Sequence, residues 1–178
     1  MANEIKDLVE WYYNTVVNKR NDEYMEAIRE NDMKKVQKLV DKMAKETGYT
    51  IKKYHVTPAK FTIFRTPSEF TDRVGMRRLK ASYPDENVMT VYIKVTNIEN
   101  LTGSESSCDP DNKPQVKKYA EAKNLDALTV NSNWGDTKDL IVINPNQIKS
   151  SKPITFDDNG SIIPLNQRFN RLKMDIRY

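Results

Sequence analysis

The run Val88-Met-Thr-Val-Tyr-Ile-Lys-Val95 mixes β-branched and aromatic residues. That is the composition of a half-buried strand. Working outward, residues 50–56, 61–64, 125–130 and 140–143 have the same texture and are expected to be strands as well. Ahead of Tyr49 the pattern is different. Ile5, Leu8, Val9, Tyr12 and Val16 follow the i, i+3, i+4 spacing of one buried helical stripe. Residues 18–22 are expected to break that helix and cap a second one carrying Tyr24, Met25 and Ile28. Asn31 and Asp32 can cap a third, with Val36, Leu39, Val40 and Met43 inward. Gly48 is its natural stop, because glycine adopts the left-handed terminal conformation at least cost. Residues 97–114 are polar and rich in Gly, Ser, Asp and Pro, which predicts a loop. Residues 116–123 predict a short helix. The sequence therefore predicts an α+β chain: a helical segment over residues 1–48, then a mostly antiparallel sheet domain over 49–178.

Composition narrows the chemistry. Over 178 residues there is one cysteine, Cys108, and one histidine, His55. An intrachain disulfide, a cysteine zinc site and a multi-histidine metal site are all excluded, so no metal is expected. A reducing, cytoplasmic setting is the simplest expectation. No apolar run approaches the roughly 20 residues of a membrane helix, so no membrane partner is expected. Lys plus Arg total 29 against 25 Asp plus Glu, a net charge of +4. That balance permits an anionic partner without requiring one.

Three further runs carry more information. One is Tyr54-His-Val-Thr57, followed by Phe61-Thr-Ile-Phe64. The second is Lys138-Asp-Leu-Ile-Val-Ile-Asn-Pro-Asn-Gln-Ile-Lys-Ser-Ser151. The third is Asn159-Gly-Ser-Ile-Ile-Pro-Leu-Asn-Gln-Arg-Phe-Asn170. Together they resemble the ADP-ribosyltransferase-like domain of phage and mobile-element polyvalent proteins, which shows Tyr-His-Gly-Thr, Phe-x-x-Phe, a strand ending in Pro-x-Gln-Ile-Lys-Ser-Ala, and Asn-Gly-x-Ile-Pro-Leu-Ser-x-Arg-Phe. The likeness spans residues 31–170 and is thinnest in the middle.

The resemblance implies the split-sheet fold of the diphtheria-toxin and poly(ADP-ribose) polymerase group, with NAD held as substrate in a cleft. It implies that His55 contacts a ribose, with Tyr54 and Val56 beside it, and that Thr57 supports the strand end. Tyr83, and second to it Phe70, are the candidate aromatics for stacking on nicotinamide. Asp139 stands in the position of the catalytic carboxylate, with Gln147 eight residues later, as in the polymerase branch. Breaking the bond to nicotinamide develops positive charge on the ribose, and a fixed carboxylate stabilises that charge most in the transition state. Trp134 and Gly135 fall on the loop that meets the acceptor in this group. Arg73, Arg77, Arg78 and Lys80 form a basic group that can face phosphates or a target.

Two departures stand out. Asp replaces the usual Glu, shortening the reach by roughly 1.5 Å. Val56 replaces a glycine that lets backbone and ligand approach closely. The expected function is transfer of ADP-ribose from NAD to an acceptor, or to water, with a protein acceptor favoured over nucleic acid. The alternative is a catalytically degenerate domain of the same fold that binds a protein partner, such as a host defence component. A small basic nucleic-acid binder is the third reading. On the enzymatic reading His55, Asp139 and an aromatic ring converge on one cleft.

Overall fold

The computed structural model describes residues 5, 7–8, 11–101, 108–131, 138–170 and 176–177. The chain is α+β, with helices first and mostly antiparallel sheets after. A π-helical turn over Tyr13–Val17 runs directly into α1 (Asn18–Arg29). Residues 18–22 therefore lie inside a helix rather than breaking one. Ile5 and Leu8 are 63% and 64% exposed, and Trp11 and Tyr12 are also open. Of the expected buried stripe, Ile5, Leu8 and Tyr12 are thus exposed and Val16 is half-buried, Val9 lies outside the described residues, and the first fully buried helical residue is Tyr24.

Asp32 caps α2 (Met33–Glu46), its carboxylate accepting from the Lys35 N–H at 3.0 Å. Val36, Val40, Met43 and Ala44 form the buried face of α2, as their spacing predicts. Gly48, at φ +86°, ends the turn beyond it. That is the left-handed region in which a side chain would be strained.

The strands β1 (Ile51–Thr57), β3 (Asn87–Ile93) and β7 (Ile148–Ser150) form one antiparallel sheet in the order β1-β3-β7. The second sheet runs β2-β6-β5-β4, with β2 (Ser68–Phe70), β4 (Ile98–Asn100), β5 (Ala127–Asn131) and β6 (Lys138–Val142). Among the described residues, only β4 is parallel to its neighbour. One bridge, Tyr54 to Thr71, joins the sheets, with backbone bonds of 3.0 and 2.9 Å in the two directions. Residues 61–64 are not a strand. Phe64 turns into the core instead, and the pairing strand follows at β2. The expected loop at 97–114 contains β4, because the parallel edge of β5 is there to accept it. Periodicity cannot signal a three-residue strand supported by a neighbour.

Three cores result. The helices pack on the first sheet through Tyr24, Val36 and Val40 against Tyr49, Tyr92 and Phe169. The two sheets pack face to face through Val91, Ile93 and Ile148 against Phe70, Leu140 and Val142, with Phe64 alongside. On the outer face of the second sheet, Val116 of α4 (Lys113–Ala122) covers Leu128, Val130 and Ile141. Each fully buried aliphatic or aromatic side chain contributes about 1.5–3 kcal/mol. The remaining helices are α3 (Arg73–Ser82) and the single-turn α5 (Leu165–Arg168).

Arg168 is buried and locks this arrangement. Its guanidinium donates to the carbonyls of Pro153 (2.8 Å), Lys152 and Ser150, and to the Tyr24 hydroxyl. Among the described residues, no helix is long and apolar enough to cross a membrane.

Candidate functional site

The register of β1, β2 and β6 fixes where the candidate residues stand. Phe70 pairs with Leu140 and Glu69 with Ile141. Continuing one step, Thr71 comes level with Asp139, and the bridge sets Tyr54 beside Thr71. Tyr54, Thr71 and Asp139 therefore form one row across three strands, and His55, Phe70 and Leu140 form the next. Successive rows point to opposite faces of a sheet. Phe70 and Leu140 belong to the core between the sheets, while Ile141 packs under α4. His55 and Asp139 consequently sit on nearby strands with their side chains turned to opposite faces.

His55 lies among aromatic rings. Its centroid is 5.2 Å from Phe64, 5.5 Å from Phe70 and 6.0 Å from Phe61. Its Nδ1 is 2.8 Å from the Glu69 carbonyl oxygen. A carbonyl can only accept, so Nδ1 carries the proton and donates. Burial lowers the imidazole pKa, only partly opposed by the bond to Glu69, so the neutral ring is favoured.

On the other face, Asp139 is 2% exposed. It shares that face with Glu69, which pairs with Ile141 and whose side chain reaches the surface. Partial burial first, and then the charge and hydrogen bond of Asp139, push the Glu69 pKa up to about 6. Asp111 adds to this rise and Lys113, at the start of α4, counters it. One Asp139 oxygen, Oδ1, and the Thr71 hydroxyl are both buried without a hydrogen-bond partner. Gly75 of α3 packs on the same spot: a methyl there would stand 2.0 Å from Thr71 Oγ1. The result is a carboxyl pair with one member open to solvent and one enclosed, beside an unsatisfied hydroxyl.

The other candidates are spread more widely. Thr57 accepts from the Ala59 N–H at 3.2 Å and so closes the end of β1. Val56 pairs with Val88. Tyr83 caps α3, is 47% exposed, and donates its backbone N–H to Leu79. Gln147 completes a capping box with Asn144 and also bonds Asp126. Burial raises the Asp126 pKa, but hydrogen bonds from Thr96, Asn97 and Gln147 outweigh it and hold the group below its ordinary value. Gln147 lines a polar cavity of about 970 Å³ with Lys94, Lys117 and Asn146, and neither His55 nor Asp139 reaches it. Arg73, Arg77 and Arg78 are exposed on α3, and Lys80 donates to the Pro84 and Glu86 carbonyls. Trp134 and Gly135 lie outside the described residues.

Glu69 is the functional candidate that sequence reasoning missed. Its motif, Glu69-Phe70-Thr71, is visible in the sequence, but only the β2–β6 pairing gives the glutamate an acidic partner. No cluster of three or more His, Cys, Asp or Glu among the described residues is placed to hold a metal ion. Comparison of the chain with protein-family models, with curated proteins and with solved structures gives no match.

Proposed function

We propose that this protein cleaves the bond between nicotinamide and ribose in NAD and passes the ADP-ribose to a protein acceptor or to water. The observation that carries the reading is the pair of Glu69 and Asp139 on one sheet face, with Asp139 enclosed and Glu69 at the surface, its pKa pushed up to about 6 by partial burial and by Asp139. As the C1′–N bond breaks, its electron pair leaves with nicotinamide and positive charge grows on the ribose. The carboxyl pair supplies a fixed negative charge for that moment. The acceptor hydroxyl, amine or water then bonds to C1′, and its proton passes to Glu69. A carboxylate with a pKa near 6 suits that task at neutral pH. His55 acts as a positioning residue, holding the backbone of Glu69 from the far face. The sequence likeness to phage and mobile-element domains supports the same reading and suggests a bacterial host cytoplasm as its setting.

A second reading has its own support. The rings of Phe61, Phe64 and Phe70 crowd His55, and its side chain points away from Asp139. That favours a fold that keeps its framework and binds a protein partner without catalysis. One experiment separates the two. Purified protein is incubated with labelled NAD, and nicotinamide release and label transfer are followed. Release that depends on Glu69 and Asp139 supports the enzyme. Absence of release, with no NAD binding by calorimetry, leaves the binding domain.

A further inference from the structure

A second cavity, of about 450 Å³, opens where β7 ends and the edge of β3 is left beside residues 59–62 and 152–156. Its walls are largely apolar, with Phe61, Val88, Met89, Ile154, Phe156 and the buried Ile176 in the lining. Among the described residues, three cationic residues line it, Lys60, Lys152 and Arg177, and no acidic one does. Lys60 and Lys152 are exposed, while Arg177 is held by Asp158 at 2.6 Å. Thr155 is also part of the lining, and its hydroxyl is buried without a partner. Phe156 and Val88 remain 49% and 37% exposed, so apolar surface is left uncovered here.

From this combination we infer a binding site for a small amphiphilic anion, with an apolar or aromatic body against Phe61 and Phe156 and one anionic head at Lys60 and Lys152. Apolar walls with a few placed polar groups are the usual make-up of a small-molecule site, and 450 Å³ lies within the usual size range. The charged residues described in the lining are all cationic, which selects the charge of the head. The site is independent of the carboxyl pair. It adjoins the surroundings of His55 through the Phe61 ring, 6.0 Å away, and through Met89, the cross-strand partner of His55.

The test uses the full chain and two fluorescent probes: anilinonaphthalene sulfonate, which carries one negative charge, and its neutral relative phenylnaphthylamine. The sulfonate is expected to bind saturably, one per chain, and to be displaced by decanoate. Lys60→Glu combined with Lys152→Glu should weaken the sulfonate about tenfold, the scale of losing two solvent-exposed charge contacts. The neutral probe should change less than twofold. Phe156→Ala should weaken both probes, and circular dichroism melting confirms that both variants are folded. Unsaturable uptake, or equal effects of the charge reversal on both probes, would overturn the inference. So would unchanged binding in Phe156→Ala. Displacement of the sulfonate by NAD, at NAD's own affinity, would reassign the cavity to the dinucleotide and overturn it as well.

Discussion

Glu69 in β2 and Asp139 in β6 turn to the same face of the second sheet, Glu69 exposed and Asp139 buried, and the neighbouring Asp139 carboxyl adds to the rise of the Glu69 pKa. Two strands hold the pair in register, and α3 and α4 flank it. The relationship accounts for the raised Glu69 pKa and gives the proposed chemistry its charge.

Replacing Asp139 with asparagine removes the enclosed charge while keeping the side-chain shape. Nicotinamide release should fall about 100- to 1000-fold, the scale of losing one key electrostatic group. The Glu69 pKa should also move down from about 6 towards its ordinary value. Carbon NMR titration of the labelled carboxyl reads the second effect even in a variant with no measurable turnover. A Glu69 pKa that does not move would show that the two groups are not coupled.

Stability should depend on pH through two opposed groups. Glu69 has a raised folded-state pKa. Its stabilising contribution is complete below its ordinary value of 4.5 and is lost as pH rises through about 6. His55 has a lowered folded-state pKa. Its contribution is complete above 6.5 and is lost as pH falls through the depressed value. In Glu69→Gln only the histidine limb remains, so urea-denaturation stability should climb from pH 5 to 6.5 more steeply than in the parent protein. Parallel curves for the two proteins would contradict the assignment.

Gly75 gives a steric test of the packing against Thr71, the residue level with Asp139. Gly75→Ala would gain helix propensity of about 1 kcal/mol but places a methyl 2.0 Å from Thr71 Oγ1. A net destabilisation of about 1–3 kcal/mol is expected, the usual range for overpacking. Thr71→Ala removes the clashing oxygen and leaves the nearest contact at 3.2 Å, so the double variant should recover most of the loss. Additive effects in the double-mutant cycle would place the two residues apart.

Arg168→Lys keeps the charge but loses the planar fork that binds the carbonyls of residues 150, 152 and 153. Hydrogen bonds to a charged group contribute about 1.5–3 kcal/mol each, so a drop of several kcal/mol in chemical denaturation is expected. Tyr24→Phe, which removes one of the partners, should cost about 1–2 kcal/mol. A loss in Arg168→Lys no larger than that would mean the fork contributes little.

Much of the framework was legible in the residues alone. The α2 stripe, the Asp32 cap, the Gly48 stop and the strand texture at β1, β3, β5 and β6 are local signals. Each depends on neighbours a few positions away in the chain, and so survives without a fold. The N-terminal stripe had the same signal but a different outcome. Spacing shows which side of a helix is apolar, whereas burial needs a surface to cover it, and Ile5 and Leu8 found none among the described residues.

The candidate site divides along the same line. Asp139 and His55 could be picked out as residue types at particular strand positions. Whether their side chains meet could not, because that depends on how β1, β2 and β6 are paired and on which face each core covers. A one-residue change of register would turn Asp139 to the other face. Register here is set by contacts among strands up to some seventy residues apart in the chain, so only the assembled sheet could decide that Asp139 joins Glu69 while His55 packs among the phenylalanines.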